Sequence, residues 1–531
     1  MSSIDKKTLD ERVDTASIKK IDYAGTKRYS ISSEFETASS DGGTTLNYEA
    51  YDPELQWTKE EEDRVRRIID IRLMPFILLM SFVLNMDRTN VSNALSDYMP
   101  QDLGFDNDMY NVTIMVYSFV FTIFTLPSTT AAKRIGANIW IPILMSSWAI
   151  VTWAHALVKN YPQFMVIRIL IAVTEGGFIP ACLYYLTSWY KSNELGTRLA
   201  FFWGVQSFAS AFSGLISFGI FRLRGVGGLE GWKWLFLIDG IFTHFVAFIA
   251  FLYLPRGPAR TPGLLRGRKG WFDERQKKIA VTRLIRDDKS KTEQYSRVTF
   301  QDIKRVLLDT KVWMHLITTF VGFIPQTPIS AYFPTIIRDG GFEVTTANLL
   351  TMPAYMVNLA FSILIAKSAD KFGDVGLHAA FEAAWMLAGF IVLRTLPPDA
   401  NRWSIYAGAL IANGAPSWHG MHIAWMSSNV APNGKRSLAL GLIIGAANIC
   451  SVPGAIIYQS RDAPKYYYGN TICIALTAVN LVGFLAIRTR YILTNRWREK
   501  KWNAMTEEEK KYYNETTKDE GSNRLDFRFR I

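Results

Sequence analysis

Charged residues are scarce in this chain of 531 residues, since only 20% are Asp, Glu, Lys or Arg. Hydrophobic residues make up 49% of the chain and aromatic residues 14%, which excludes a disordered chain and a coiled coil. A soluble chain of this length would split into about three or four domains and would carry more charge. The apolar residues must therefore be concentrated in long blocks.

Cysteine is almost absent, and Cys182, Cys450 and Cys473 each lie within an apolar block. There is no Cys-x-x-Cys or Cys/His ligand spacing, so the sequence predicts neither a disulfide framework nor a metal site. It also lacks a phosphate-binding glycine loop and a nucleophile–base constellation at a membrane face. We therefore expect no cofactor, no ATP-driven transport and no membrane-embedded enzyme.

The net charge of +12 is concentrated in two stretches of the chain. Residues 255–310 contain 15 basic and 7 acidic residues, and residues 488–531 contain 12 basic and 8 acidic residues. A basic balance can indicate nucleic-acid binding, but these residues flank apolar blocks, as cytoplasmic loops of membrane proteins do. The expected partner is therefore a lipid bilayer and not nucleic acid.

Twelve apolar blocks are long enough to cross a bilayer, which requires about 20 residues per helix. They cover residues 73–95, 110–132, 138–157, 163–187, 198–220, 234–254, 312–336, 346–366, 376–396, 403–427, 437–458 and 469–487. The predicted organisation is a cytosolic tail (1–71), a six-helix bundle (72–254), a central cytosolic loop (255–310), a second six-helix bundle (311–490) and a cytosolic tail (491–531).

The first tail contains no apolar core, so residues 1–56 predict a disordered cytosolic segment and no signal peptide. Thr58 and Glu61 form a candidate capping box for a short amphipathic helix that ends before Leu73.

Lys and Arg near the span ends place both termini and the central loop in the cytosol. Four arginines precede the first span, whereas the loop after it contains four aspartates and no basic residue. Arg222, Arg224 and Lys233 run against this trend. The two halves also share a basic-apolar-Gly turn, at residues 133–136 and 370–373. Together with the span count, this repeat indicates two bundles that face a shared cavity.

Several motifs resemble those of one transporter family. Residues 85–90, Asn-Met-Asp-Arg-Thr-Asn, resemble the "DRxN" signature of the anion:cation symporter branch of the major facilitator superfamily. Residues 168–180 resemble its "RxxxGxxEgGfxPg" segment, residues 189–198 its "WYxxxExxxR" loop, and residues 231–236 its "GWRWLF" start of span 6. Asp239 stands where the family pattern has Glu.

Residues 286–291 and 524–529 resemble fungal members of that branch, the allantoate, nicotinate, pantothenate and biotin permeases of yeast. The resemblance covers about residues 55–531. It implies an all-α integral membrane protein of twelve transmembrane helices in two six-helix bundles, with both termini cytosolic. It also implies secondary active transport by alternating access, with the charged residues of spans 1 and 4 serving substrate binding and proton coupling.

Asp87, Arg88, Arg168 and Glu175 lie inside predicted spans, where each charge costs roughly 2.5–3.5 kcal/mol to insert. Arg88 is the candidate for binding a carboxylate, because guanidinium is permanently charged and can donate two parallel hydrogen bonds. Asp87 and Glu175 are the candidates for proton coupling, and Arg168 would hold one of them ionised in one state and release it in another. The alternative is a static ion-pair network.

Neutral polar residues in the spans are further candidates for substrate binding: Asn90, Gln206, Gln326 and Asn448. Hydrogen bonding between helices is the competing interpretation for them. Pro325, just before Gln326, predicts a loosened helix. His419 and His422 are candidates for a proton relay or a substrate contact, and a metal pair would lack a third ligand. Tyr117 either donates to a carboxylate or packs.

The sequence thus predicts a monomeric secondary transporter that imports a small organic anion, carboxylate or vitamin-like, together with protons. The plasma membrane is the expected location, and a vacuolar or other internal membrane is the alternative. The competing function is a nutrient sensor on a transporter scaffold that signals through the 41-residue tail 491–531.

Overall fold

The computed structural model describes residues 21–23, 26–28, 50–287, 304, 306–430, 433–517 and 521–531. Most of the predicted disordered tail lies outside these residues, as do positions 288–291 of the fungal-type motif. Within residues 1–43, strands β1 (Ile21–Tyr23) and β2 (Thr26–Arg28) pair antiparallel, with Ile21 opposite Arg28. The other described elements are helical.

The helices of the N-terminal half are α1 (Lys59–Arg72), α2 (Met74–Ser96), α3 (Met99–Leu103), α4 (Asn107–Ile135), α5 (Ala137–Trp153), α6 (Tyr161–Glu175), α7 (Phe178–Thr187), α8 (Ser192–Ile220), α9 (Gly231–Tyr253) and α10 (Glu274–Asp287). Short 3-10 turns cover Ala154–Leu157, Phe221–Leu223 and Val226–Gly228.

The helices of the C-terminal half are α11 (Thr310–Phe323), α12 (Gln326–Asp339), α13 (Val344–Leu349), α14 (Thr351–Phe372), α15 (Val375–Thr395), α16 (Arg402–Asn413), α17 (His419–Asn429), α18 (Asn433–Ile449), α19 (Ser451–Ala455), α20 (Tyr467–Asn503) and α21 (Glu507–Thr516). Further 3-10 turns cover Ser460–Asp462 and Gly521–Asn523.

Ten helical stretches among the described residues are long and apolar enough to cross a membrane. They are Lys59–Ser96, Asn107–Ala132, Ala137–Leu157, Tyr161–Thr187, Phe201–Leu223, Gly231–Tyr253, Val344–Phe372, Val375–Thr395, Leu438–Ala455 and Tyr467–Asn503. They coincide with ten of the twelve predicted spans, so the all-helical membrane fold is confirmed.

The two remaining predicted spans, 312–336 and 403–427, are each built from two shorter helices. Span 7 breaks between α11 and α12 at Ile324 and Pro325, and span 10 breaks between α16 and α17 over Gly414–Trp418, which contains Pro416. Proline has no backbone N–H and its ring clashes with the preceding helical turn, so it interrupts both helices. The loosening expected around Pro325 is therefore present.

The capping box predicted at the start of the first helix is present. The Glu61 amide donates to Thr58 Oγ1 over 3.3 Å, and the Thr58 amide donates to Glu61 Oε2 over 3.0 Å. The helical stretch then continues across Leu73 to Ser96. The predicted amphipathic helix before Leu73 is α1, and it is continuous with the apolar helix α2 of the first span.

Helix α10 of the central segment packs on the N-terminal half, at the end that the predicted orientation places in the cytosol. Arg283 of α10 is fully buried and donates to Glu194 Oε1 over 2.9 Å and to the Trp189 carbonyl over 3.0 Å. Trp271, Phe272 and Ile279 of the same segment join the hydrophobic core of this half. The "WYxxxExxxR" residues thus receive a partner from a segment that was predicted to be a cytosolic loop.

The C-terminal residues pack on the other half, at the end that the predicted orientation places in the cytosol. Asn429 Nδ2 donates to the Arg530 carbonyl over 2.9 Å, and the Arg530 amide donates back to Asn429 Oδ1 over 2.8 Å. Asn495 forms the same reciprocal pair with the Phe529 backbone, at 2.8 Å in both directions. The ring of Phe529 is buried and stacks on Tyr491 with centroids 4.5 Å apart.

The two halves contact each other at the end that carries residues 97–107, which the predicted orientation makes the outer end. Asn111 Nδ2 donates to the Tyr458 carbonyl over 2.5 Å. The Ser96 carbonyl accepts from Arg338 over 2.9 Å, and Ser96 Oγ accepts from Asn348 over 2.8 Å. These bonds hold the outer ends of the halves together.

Candidate functional site

A buried ion pair joins α2 to α6 in the interior of the N-terminal half. Arg88 Nε donates to Glu175 Oε2 over 3.0 Å, and the Tyr117 hydroxyl of α4 donates to the same oxygen over 2.7 Å. The Glu175 side chain is 1% exposed, whereas the Arg88 side chain is 29% exposed. The arginine is therefore the accessible member of the pair.

Two glycines after Glu175 allow α4 to approach closely enough for this contact. A Cβ on Gly176 would lie 2.9 Å from the Phe121 carbonyl oxygen, and one on Gly177 would overlap the Ser128 side chain. Any larger residue would push the helices apart. The Glu-Gly-Gly sequence of the span 4 motif thus sets the position of the carboxylate against Tyr117.

Arg168 lies against the Tyr117 ring and forms no ion pair with Glu175 among the residues that the structure describes. Its guanidinium carbon is 4.4 Å from the ring centroid, and its Nε has no hydrogen-bond acceptor in the described part of the chain. Arg88 lies similarly over Phe121, at 5.0 Å. The site therefore holds two guanidinium groups on aromatic faces, which stabilise cations in a membrane interior.

A second group of polar residues links α2 to α5, α8 and α9. Asp87 Oδ2 accepts from Thr152 over 2.7 Å. Asp239 Oδ2 accepts from the Asn90 amide over 2.7 Å, and Asn90 Oδ1 accepts from Ser213 over 2.7 Å. The amide of Asn90, a candidate for substrate binding, is thus bonded to neighbours within its own bundle.

The other polar candidates are not joined to these groups by any hydrogen bond of the described chain. Gln206 is exposed on α8, and Gln326 is half-buried at the start of α12. The Asn448 amide donates to the Ile444 carbonyl of its own helix over 2.8 Å. The structure therefore brings together Asp87, Arg88, Arg168 and Glu175 but not these three.

A chain of hydrogen-bonding side chains crosses the C-terminal half. His315 Nδ1 lies 2.6 Å from His422 Nε2, and His315 Nε2 lies 2.9 Å from the Tyr491 hydroxyl. His422 Nδ1 lies 3.2 Å from Thr319 Oγ1. The ring of His419 packs instead on Phe323, 4.7 Å between centroids. The predicted pair of His419 and His422 is thus replaced by His315 and His422.

Sequence reasoning gave too little weight to three residues. Tyr117 donates to Glu175, although packing was the competing interpretation. Asp239 was noted only as a departure from the family pattern. His315 was missed, but it precedes Thr319 by one helical turn, and that spacing places both side chains on one face.

Chemically, the arrangement can exchange one anion for another. Arg88 Nη2 is buried and has no hydrogen-bond acceptor among the described residues, so one donor remains available beside the bond to Glu175. In a medium of low dielectric, a guanidinium with a spare donor binds a carboxylate more strongly than it would in water.

The membrane-crossing helices, the two bundles and the charges in their interior define a polytopic membrane transporter. A sequence model of the Major Facilitator Superfamily matches residues 77–455. The chain belongs to this superfamily and is a multi-pass membrane transporter.

The similar proteins include fungal transporters. An uncharacterized transporter of Saccharomyces cerevisiae is 31% identical over 485 residues, which is 90% of this chain and 89% of that protein. The major facilitator-type transporter hxnP of Emericella nidulans is 29% identical over 453 residues, 84% of this chain and 89% of that protein.

Two bacterial structures share the fold. A homologue of the human lysosomal transporter Spinster, inward-facing and unoccupied, has a TM-score of 0.59 at 16% identity and covers 82% of this chain and 98% of its own. The xylose transporter XylE of E. coli, in a partially occluded inward-open conformation, has a TM-score of 0.56 at 16% identity and covers 77% and 96%.

Proposed function

We propose that the protein imports a small organic anion together with protons. The supporting observation is the Arg88–Glu175 pair, in which a permanent cation is partly exposed, keeps a spare donor and is balanced by a carboxylate that is almost fully buried. An anionic substrate at Arg88 would replace Glu175 as the partner of the guanidinium.

This replacement couples the substrate to a proton. A buried carboxylate that loses its cation is left uncompensated, which is strongly unfavourable in a membrane interior. Glu175 can avoid that state by binding a proton, and as a neutral acid it can still accept the hydrogen bond from Tyr117. Substrate binding at Arg88 and proton binding at Glu175 therefore favour each other.

The motifs of residues 85–90, 168–180, 189–198 and 231–236 support assignment to the anion:cation symporter branch and to its fungal permeases. One solved structure with the same fold is described as a proton:xylose symporter, so proton coupling has a precedent in this architecture. We further propose a monomer in the plasma membrane, with both termini in the cytosol.

The test is alkalinisation of weakly buffered acidic medium by cells that overexpress the protein, against vector controls. Nicotinate, pantothenate, biotin, allantoate and small sulfonates are added one at a time. We expect an alkaline shift with one class of anion, lost in Arg88→Ala. Arg394→Ala is the matched control, because Arg394 is an exposed arginine of the C-terminal half that donates to Thr471.

Anion uptake without alkalinisation, insensitive to a protonophore, would remove the proton-coupling role of Glu175. Surface-expressed protein that takes up none of these anions would contradict the transport proposal for them and would favour the nutrient sensor.

A further inference from the structure

Two buried carboxyl groups face each other beside the Arg88–Glu175 pair. Asp87 on α2 and Asp239 on α9 are each 3% exposed, and their side chains lie within hydrogen-bonding reach of one another. Oδ2 of each carboxyl accepts a hydrogen bond from a neutral donor, Thr152 for Asp87 and Asn90 for Asp239, both at 2.7 Å. The remaining oxygen of Asp239, Oδ1, has no donor among the described residues.

Two ionised carboxylates in this position would be strongly destabilised. The oxygens of ionised carboxylates accept hydrogen bonds and cannot donate them, so the contact would be repulsive and would leave Asp239 Oδ1 unsatisfied. Thr152 and Asn90 supply hydrogen bonds but no positive charge. One proton between the two carboxyl groups would turn the repulsion into a hydrogen bond and satisfy Asp239 Oδ1.

The charged groups around the pair are consistent with a single proton. Arg168 and Glu175 act on the pair from α6, and Arg88 follows Asp87 on α2. Next to Thr152, His155 Nδ1 lies 2.9 Å from the Thr152 carbonyl, and the His155 ring stacks on Phe236 of α9 at 4.1 Å. In the described part of the chain, neither aspartate forms a hydrogen bond with Arg88, Arg168, Glu175 or His155.

The charge balance of the interior also indicates one proton on the aspartate pair. Arg88 and Arg168 contribute two positive charges, whereas Asp87, Glu175 and Asp239 would contribute three negative charges if all were ionised. With one proton on the aspartate pair, two guanidinium groups face two carboxylate charges. An interior without excess charge is what a low-dielectric environment favours.

We propose that Asp87 and Asp239 share one proton, which makes Asp239 of span 6 a second proton-holding residue of the transporter. This inference rests on the proposed proton symport and adds to it a residue outside spans 1 and 4. Release of the proton leaves the pair with two negative charges, and uptake restores the hydrogen bond between the two carboxyl groups, which then carry one negative charge together.

Infrared spectroscopy of the purified full-length protein in lipid nanodiscs at neutral pH tests the shared proton without any substrate. A protonated carboxyl group has its own carbonyl-stretch band, separate from that of a carboxylate. We expect this band in the wild type and its loss in Asp87→Asn and in Asp239→Asn alike. In each variant the new amide can donate to the remaining carboxylate, so the fold is retained and no proton is required.

The double variant Asp87→Asn/Asp239→Asn should lose no more band intensity than either single variant, since only one proton is involved. Asp399→Asn, at an exposed position, is the control and should leave the band unchanged. A band intensity equal to that of the wild type in either single variant overturns the proposal, because the proton then belongs to another group. Glu382→Gln identifies whether that group is the buried Glu382 of α15.

The proposed anion symport and the proposed shared proton can be refuted independently of each other. Loss of the band in both aspartate variants together with absent anion-driven alkalinisation would support the shared proton and refute symport of the anions tested. Alkalinisation in the wild type with no change of the band in the variants would support symport and refute the shared proton.

Discussion

Buried ionisable groups differ between the two halves of the membrane bundle. In the interior of the N-terminal half the described structure places two arginines against three carboxyl groups, and Arg88 pairs with Glu175 at 3.0 Å. In the C-terminal half the corresponding interior holds His315 and His422, 2.6 Å apart, and Glu382, whose Oε2 has no donor among the described residues. A guanidinium stays charged throughout a transport cycle, whereas a histidine or an isolated glutamate can be neutral. This difference supports the proposal that the anion and the protons bind in the N-terminal half.

The ends of the two halves that carry α10 and residues 521–531 also differ. Helix α10 packs on the N-terminal half through ion pairs, of which Arg283–Glu194 is the most buried. Residues 521–531 pack on the C-terminal half through backbone hydrogen bonds to Asn429 and Asn495, and their ion pair, Arg530–Asp370, is exposed. A buried arginine–glutamate pair is thus found at the end that carries α10, and reciprocal amide pairing at the end that carries residues 521–531.

One buried glutamate from each half provides the most direct test of this difference between the halves. Glu175 and Glu382 are both 1% exposed, but only Glu175 is bonded to an arginine and a tyrosine. We expect Glu175→Gln to reduce proton-driven anion accumulation by about 5- to 150-fold, the usual range of a coupling between two ligands. Glu382→Gln should retain accumulation close to wild type.

Both variants are measured by uptake of a labelled anion in cells with and without a protonophore, at matched surface expression. Equal losses in the two variants would show that the C-terminal half takes part in coupling, and the division between the halves would then be wrong.

A smaller but still large effect is expected where α10 packs on the N-terminal half. Arg283→Ala leaves Glu194 buried without its cation, and breaking such a pair costs about 3–5 kcal/mol of stability. Arg275→Ala is the matched control on the same helix, because Arg275 pairs with Glu61 at the surface. Thermal unfolding in detergent, followed by tryptophan fluorescence, should show a much larger decrease for Arg283→Ala.

The combination Arg283→Met/Glu194→Gln should recover part of that loss, because it removes both buried charges. If the double variant unfolds at a lower temperature than Arg283→Ala, the cohesion of this end does not depend on the charge pair.

The histidine chain of the C-terminal half provides the next prediction. His315→Phe removes the partner of His422 Nε2 and of the Tyr491 hydroxyl, and each unsatisfied buried group costs about 1–3 kcal/mol. We expect a lower unfolding temperature and unchanged dependence of uptake on the proton gradient. His378→Phe, in a partly exposed contact with Ser368, should change neither. Loss of the gradient dependence in His315→Phe would place a proton path in this half.

The sequence was sufficient for the fold because long apolar blocks can only be satisfied as membrane helices. It predicted a loosening of span 7 at Pro325, but not that spans 7 and 10 are each divided into two helices, at Pro325 and around Pro416. The length of an apolar block does not show where a proline removes a backbone hydrogen bond and ends a helix.

The buried charges could be predicted as a group, but their pairing could not. Arg168 and Glu175 are seven residues apart, which places them on one helix face, yet Glu175 is bonded to Arg88 and Tyr117 on other helices. That pairing depends on how closely α4 and α6 approach at Gly176 and Gly177. Contacts between helices are set by such packing and are not encoded in spacing along one helix.

The smallest effect is expected for the exposed ion pair between Glu61 of α1 and Arg275 of α10. The contribution of this pair to stability should depend on pH. Hydrogen bonds from the Arg275 guanidinium and from the Thr58 amide lower the pKa of Glu61 to about 2. Because this pKa is below the value of about 4.3 for an unfolded chain, the pair stabilises the protein above that pH and its contribution is lost as the pH falls toward 2. Glu61→Gln should therefore lower the unfolding temperature slightly at neutral pH, and the difference from wild type should shrink on acidification and in high salt. A decrease as large as that of Arg283→Ala, or one independent of pH, would mean that Glu61 acts through its capping of α1 and not through its charge.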